Sequence, residues 1–470
     1  MNQLISYDRW RKTWRSFSLR PLLLLLLLVS ALTSLSPQVP VRAEAPMGEA
    51  SQAEAPKDAV SQTQGLAGAT FRNWVSYYGP GRGRIDTLSE FDLLDIELDP
   101  VAANYTRAEV STLRSRLNPR GGKVLSYLNI GACETFRYFW DRRDANGRQV
   151  GCQAFQLAPY EGFPGEFWMD VRNPGFQDLI VGVVARGLVD MGADGFYLDN
   201  LDNFLMPLPG TTITERKQGV TDILRRLRQT YPDRYIVAQN GLYTLGTEPN
   251  ADNVLYWPDA RNGGIPAYTY VDAEAHEDVN SYPECPTRRV CRQTVMAALA
   301  DLRNRGRPIF LLDYTGNQAT AQRYYHQTIC DGFLPYVADR SLQSIKRWDV
   351  TPPPAPDELT ARTEGSRVLL TWQAAESCSP PYDDDFGVTS YRVFRDGVLI
   401  GQTYLTGGAA PFSSFVDESA PAGVRRYSVT AVDTGPGEST ATAVTISVVP
   451  RPTVHSAYLP VVFRNRTVAR

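Results

Sequence analysis

The sequence predicts an α/β chain, a (β/α)8 TIM barrel followed by a small all-β sandwich. Three observations lead there. Short runs of branched and aromatic residues alternate with amphipathic stretches between positions 71 and 339, the rhythm of strands alternating with helices. Several of these runs end abruptly in acids or amides, most densely in Gly195-Phe196-Tyr197-Leu198-Asp199-Asn200-Leu201-Asp202. In parallel α/β folds the chemistry sits at such strand ends, because the loops vary while the strands hold position. Thr351-Pro352-Pro353-Pro354-Ala355-Pro356 then marks a boundary, and beyond it the pattern is all strand.

At 470 residues the chain exceeds one ordinary domain. Its net charge of -3 comes with no basic stripe, so a nucleic-acid partner is not expected. Residues 1–43 read as a signal peptide: Arg11, Lys12, Arg15 and Arg20 precede a leucine run at 22–28, and Val41-Arg42-Ala43 offers a cleavage site. The apolar core is shorter than the roughly 20 residues a membrane span needs, so cleavage and export are expected, with no span afterwards. Positions 44–70 read as a flexible linker poor in large apolar residues. Six cysteines in an exported chain read as disulfides rather than metal ligands. Cys285 and Cys291 make a close loop, Cys133 and Cys152 flank a polar excursion, and Cys330 with Cys378 are left to link two domains. His276, His326 and His455 are too scattered for a zinc site, and no metal or cofactor is expected.

In chain order, 73–79 (NWVSYYG) and 91–98 (FDLLDIEL) read as strands, and Thr106 with Glu109 forms a capping box for a helix to about 117. Strands follow at 123–130 (KVLSYLNI) and 166–171 (EFWMDV). Asn173-Pro174 caps a helix carrying Ile180, Val183, Val184 and Leu188. A fifth strand at 195–198, a helix at 214–230 and a sixth strand at 235–240 (YIVAQN) come next. After a loop rich in Asn, Pro and Gly, a seventh strand is expected at 267–273, a helix at 290–303, an eighth strand at 308–313 (PIFLLD) and a closing helix at 318–330. Eight strands in roughly 265 residues match a (β/α)8 barrel over 71–350. A doubly wound open sheet is the runner-up, and the missing Gly-rich phosphate loop after the first strand argues against it. Positions 351–450 carry short strands at sandwich spacing, with Asp396-Gly397 as a hairpin turn. Such a module is expected to fold alone. Residues 451–470 form a C-terminal tail, read as a sorting or anchoring signal.

Closing the barrel would bring the strand ends together. The tips then supply Tyr78, Tyr127, Asn129, Asp170, Asp199, Asp202, Asn240, Asp313 and Tyr314, with Glu277 just past the seventh strand. This set holds carboxylates, amides and aromatic rings, without a serine–histidine pair, a metal-binding histidine set or a phosphate loop. Glycoside hydrolysis needs this inventory: two carboxyls serve the transition state while amides and acids hold hydroxyls.

Trp74 to Tyr78, Tyr127-Leu128-Asn129-Ile130-Gly131, Trp168-Met169-Asp170-Val171, Gly195 to Asp199, Gln239-Asn240-Gly241 and Tyr270-Val271-Asp272 with His276-Glu277 together resemble glycoside-hydrolase family 114. The resemblance implies a (β/α)8 barrel and endo-α-1,4-polygalactosaminidase activity on a polysaccharide. It also implies Asp199 as nucleophile and Glu277 as general acid/base of a retaining mechanism. Glu274, three residues earlier, is the alternative acid if the strand ends elsewhere. Trp372 and the Tyr427 strand resemble a fibronectin type III domain. The expected protein is thus a secreted, monomeric glycosidase, with a non-catalytic carbohydrate-binding or adhesion protein on the same scaffold as the second reading.

Overall fold

The computed structural model describes residues 71–246, 251–282, 291–373, 386–404, 413–435 and 437–449, all within one compact unit, Ser61–Arg470. The expected leader, linker and C-terminal tail lie outside the described residues, as do Cys285 and Cys378. Among the described residues no helix is long and apolar enough to cross a membrane.

The chain starts with three parallel strands, β1 (Trp74–Tyr77), β2 (Leu93–Ile96) and β3 (Lys123–Asn129). It then leaves the barrel for a small antiparallel sheet of β4 (Ala132–Glu134), β5 (Gln156–Pro159) and β6 (Glu166–Met169), and returns at β7 (Gly195–Asp199). Next come β8 (Tyr235–Gln239), β9 (Ala273–Glu277), β10 (Ile309–Tyr314) and β11 (Leu334–Ala338). The eight-stranded sheet has the order β1-β2-β3-β7-β8-β9-β10-β11, a nearly closed barrel of TIM type. At the seam, the Trp74 indole donates to the Leu334 carbonyl at 3.0 Å.

Residues two apart on a strand share a face, and here the inward face is aromatic. The Trp74 ring packs against Tyr197, Phe310 and Tyr336, with centroids 6.2, 5.4 and 5.8 Å away. These rings, drawn from four strands, make a filled floor rather than a pore. Gly195 permits the close approach of β7 and β8, because a Cβ there would lie 1.9 Å from the Tyr235 carbonyl oxygen.

The local signals behave as their chemistry requires. Thr106 and Glu109 form the reciprocal capping box of helix Arg107–Leu117, and Asn173 caps Pro174–Leu179 by accepting the Gly175 N–H at 2.9 Å. Three strand expectations need correction. The run 166–171 is extended, but β6 pairs antiparallel with β4 and β5 outside the barrel. Local sequence encodes extension and leaves the choice of partner open. The expected strand at 267–273 is a 3-10 turn, Ala267–Tyr270, and β9 begins only at Ala273. The eighth barrel strand, β11, was not anticipated. Its sequence LPYVA contains a proline, which lowers strand propensity, although Pro335 sits in register opposite Leu311.

Beyond the barrel, β12 (Asp357–Glu364), β13 (Arg367–Gln373), β14 (Val388–Arg395), β15 (Val398–Tyr404), β16 (Ser414–Asp417), β17 (Gly423–Asp433) and β18 (Thr442–Val448) form two antiparallel sheets, β12-β13-β16 and β15-β14-β17-β18. Both sheets contribute to one core, with Val368, Leu370 and Trp372 packed against Tyr391, Val393, Tyr427 and Val429. Asp396 and Gly397 turn between β14 and β15 with φ of 51° and 83°, the doubly positive geometry of a type I′ hairpin. This sandwich does not stand apart from the barrel. Phe386 packs edge-on against Tyr325 at 5.3 Å, in a cluster with Ala321, Tyr324 and Val337. The buried Asn73 amide donates to the Thr434 carbonyl at 2.7 Å, and Asp349 accepts from Gly435 N at 3.1 Å.

Cys133 and Cys152 form a disulfide that staples the inserted sheet. Cys291 and Cys330 are also disulfide-bonded.

Candidate active site

The tips of β7, β8 and β9 are each followed by a residue in the left-handed region: Asn200, Asn240 and Asp278, with φ of 59°, 58° and 58°. Asn and Asp tolerate this conformation because their short polar side chains bond locally. The backbone therefore turns sharply at each tip, directly after Asp199 and Glu277 on β7 and β9.

Asp199 continues the inward face of Gly195 and Tyr197. Its Oδ2 accepts the Tyr127 hydroxyl at 2.8 Å and its Oδ1 accepts the Asn200 N–H at 2.7 Å. Glu277 continues the inward face of Ala273 and Ala275. Its Oε2 accepts from the Asn240 amide at 3.0 Å, and Asn240 Oδ1 accepts the Glu277 N–H at 3.1 Å, a two-point clamp between neighbouring strand ends. Its Oε1 accepts the Tyr314 hydroxyl. Each carboxyl is thus held by a phenol and an amide group, and Glu277 by the Gln239 side chain as well.

Burial is the first influence on both carboxyls. Asp199 is pushed up to about 7, first by burial and then by the charge of Glu277, while the donors Tyr127 and Asn200 pull it back. Burial also raises Glu277, opposed by Tyr314 and Asn240. Asp202, one turn past Asp199, is raised to about 7 by burial and by Glu277.

Alternation along β9 separates Glu274 from Glu277. Positions three apart on a strand lie on opposite faces, so Glu274 points away from the cleft and is fully buried. There its Oε1 accepts the Gly241 N–H at 3.0 Å. Burial holds its carboxyl well above the usual carboxylate range.

The other expected residues divide. Asn129 is at the cleft, where its amide donates to Glu166 Oε1 at 3.1 Å and its Oδ1 accepts from Ala132 N at 2.8 Å. Tyr78 packs edge-on against Tyr127 at 5.1 Å, but its hydroxyl turns down to Asp95 at 2.8 Å. Asp313 faces outward, opposite to Tyr314, and binds Asn280 N at 3.0 Å and the Asn280 amide at 2.7 Å, so it anchors the turn after β9. Asp170 follows β6 rather than a barrel strand. It is locked in a two-point ion pair with Arg172, at 2.8 and 3.1 Å, and the structure does not bring it together with Asp199 and Glu277.

Sequence reasoning missed three groups. Asp95 lies under the cleft on β2. Glu166, at the start of β6, is raised to about 8 by burial, then by Glu134 and Asp199. Tyr160 stacks on Trp168 at 4.1 Å and donates from its hydroxyl to Asn200 Oδ1 at 3.2 Å. None of the three had a local signal that set it apart, and Asp95 is one of three acids in the run 91–98 (FDLLDIEL). A small pocket beside the site is lined by Tyr127, Asn129, Glu134 and Arg137. Arg137 there pairs with Glu97 at 2.8 Å, Glu134 at 3.0 Å and Asp99 at 3.2 Å. Among the described residues no cluster of His, Cys, Asp and Glu could hold a metal ion.

A TIM barrel whose strand tips gather carboxyls, amides and phenols presents the groups that glycoside hydrolysis uses. Residues 49–352 match the glycoside-hydrolase family GH114, and the chain belongs to that family. An uncharacterized protein of Deinococcus radiodurans is 26% identical over 339 residues, spanning 70% of this chain and 98% of the relative. One of Thermotoga maritima is 22% identical over 232 residues, covering 47% and 66%. Among solved structures, the chain is similar to the glycoside hydrolase domain of PelA from Pseudomonas aeruginosa (20% identity, TM-score 0.43, covering 58% of this chain and 97% of that one). It is also similar to Aspergillus fumigatus Ega3 in complex with galactosamine (15% identity, TM-score 0.40, covering 58% and 92%).

Proposed function

We propose that this glycoside hydrolase is exported and cleaves an α-linked, galactosamine-containing polysaccharide by a retaining mechanism, with Asp199 as nucleophile and Glu277 as general acid/base. The observation that carries the reading is the matched environment of the two carboxyls. Both project inward at strand tips, and both are held by a phenol and an amide group.

In the first step, protonated Glu277 gives its proton to the glycosidic oxygen while ionised Asp199 attacks the anomeric carbon. The bond to the leaving sugar breaks, and a glycosyl ester forms on Asp199. In the second step Glu277, now ionised, takes a proton from water, which displaces Asp199 and regenerates the acid. Tyr127 and Asn200 stabilise Asp199 as an anion, the form that attacks. The amino-sugar assignment follows the family's named activity and suits a cleft bordered by Asp202 and Glu166. Residues 1–43 support export, and the C-terminal sandwich would act as a fibronectin-like spacer.

The test is reducing-end release from α-linked amino-sugar polymers, with Asp199→Ala and Glu277→Ala rescued by azide. Rescue of Asp199→Ala should give inverted product and rescue of Glu277→Ala retained product. Swapped stereochemistry, or no release by the native protein from any polymer, would overturn the assignment.

A further inference from the structure

Below Asp199 the barrel holds a carboxyl that the proposed chemistry leaves idle. Asp95 stands on the inward side of β2 and is fully buried. Both of its hydrogen bonds fall on one oxygen: Oδ2 accepts Ser76 Oγ at 2.7 Å and the Tyr78 hydroxyl at 2.8 Å. Oδ1 meets no donor. The groups acting on it are Ser76 on β1, Tyr78 just past β1, Glu97 just past β2, and Asp199 on β7. It acts in turn on Tyr105 and Tyr197. No cation is among them. A buried carboxylate needs donors on both oxygens or a positive partner, and Asp95 has neither. Two donors on one oxygen and none on the other is the pattern of a neutral acid, whose carbonyl accepts and whose hydroxyl carries its own proton.

The Tyr78 hydroxyl seated on Asp95 fixes the Tyr78 ring, which packs edge-on against Tyr127 at 5.1 Å. Tyr127 donates to Asp199 at 2.8 Å. We propose that Asp95 is a positioning residue for the reaction, seating Tyr78 and, through that ring, the Tyr127 hydroxyl on Asp199. This rests on the assignment of Asp199 as nucleophile. Neutrality is part of the design, since an anion beneath Asp199 would oppose its ionisation. Burial, the largest influence on Asp95, holds its carboxyl well above the usual range.

The test follows the Asp199 carboxyl by NMR titration of the full chain carrying ¹³C-labelled aspartate, with the signal assigned through Asp199→Asn, alongside kcat/KM against pH. Asp95→Asn keeps the shape, stays uncharged and offers a carbonyl to both hydroxyls. Its Asp199 titration should stay within about 0.3 unit of native, and its kcat/KM within about threefold. Asp95→Ala and Tyr78→Phe both cut the link. Each should raise the Asp199 titration by about one unit and lower kcat/KM about tenfold on the acid side, with KM little changed. Tyr78→Phe carries the test if Asp95→Ala does not fold. An Asp199 titration that drops in Asp95→Asn would show a native anion and overturn the proposal. So would one that stays put in folded Asp95→Ala and Tyr78→Phe. Because the titration needs no turnover, the expected shifts without any hydrolysis would overturn the glycosidase assignment alone. Normal hydrolysis with an unmoved titration would overturn the positioning role alone.

Discussion

Replacing Tyr127 by Phe isolates the hydroxyl that holds Asp199. The ring contacts remain, edge-on to Tyr78 at 5.1 Å and beneath the Arg137 guanidinium at 5.7 Å, so the barrel should fold with little change in Tm. The loss is one 2.8 Å hydrogen bond to Asp199 Oδ2, leaving the Asn200 N–H at 2.7 Å. A hydrogen bond to a charged group is worth about 1.5–3 kcal/mol, and about 1.4 kcal/mol is one pKa unit. The Tyr127 hydroxyl stabilises the anion, so its removal raises Asp199 further, by about one to two units. Asp199 already sits at about 7, so the effect should be largest in mild acid. There kcat/KM should fall about 10- to 100-fold, with a smaller loss where the nucleophile is fully ionised. The assay is kcat/KM across pH on a soluble amino-sugar oligomer, the acid limb reporting Asp199 in the free enzyme. A limb that stays in place, or moves to lower pH, would refute the claim that Tyr127 keeps Asp199 ionised.

Glu274→Gln should change kcat/KM less than about threefold, whereas Glu277→Gln should cost about 10²–10⁴-fold on substrates whose leaving group needs a proton; the reverse ranking would mean that Glu274 reaches the cleft. Asp170→Ala should lower Tm by a few degrees through loss of the Arg172 ion pair, and kcat per folded molecule should stay within about threefold; a large loss of kcat at native Tm would make Asp170 a substrate contact. Deleting residues 353–470 uncovers Tyr324, Tyr325 and Val337. At about 1.5–3 kcal/mol per large side chain, full exposure of all three should cost the barrel about 4.5–9 kcal/mol in a denaturant titration, and an unchanged midpoint would show that the contact contributes nothing. Finally, burial raises Asp202 and Asp313 to about 7 and Glu166 to about 8. Folded values above unfolded ones mean stability that is full below about pH 4 and lost as pH rises through 7 to 8, so Tm should fall between pH 5 and 8, and a rising Tm would contradict it.

The sequence by itself determined the features whose physics is local. A Thr–x–x–Glu capping box closes within one helical turn, and Asp-Gly makes its hairpin from its own backbone preferences, so both appear where the residues place them. Short apolar runs ending in acids marked most of the barrel strands, and with them Asp199 and Glu277. What depended on partners was out of reach. EFWMDV is extended on local grounds, yet it pairs with β4 and β5, since hydrogen bonds between strands join residues far apart in the chain. That choice moved Asp170 out of the cleft and brought Glu166 in. The eight expected strands numbered correctly only because one misplaced run offset the unanticipated β11. Glu274 and Glu277 could be told apart only once β9 was known to run from Ala273 to Glu277, because a period of two turns a three-residue offset into opposite faces. Asp95 looked like one more acid in an apolar strand. Closing the barrel set it beneath Asp199 and below the hydroxyls of Ser76 and Tyr78, and burial there, which no stretch of sequence carries alone, gives it its chemistry.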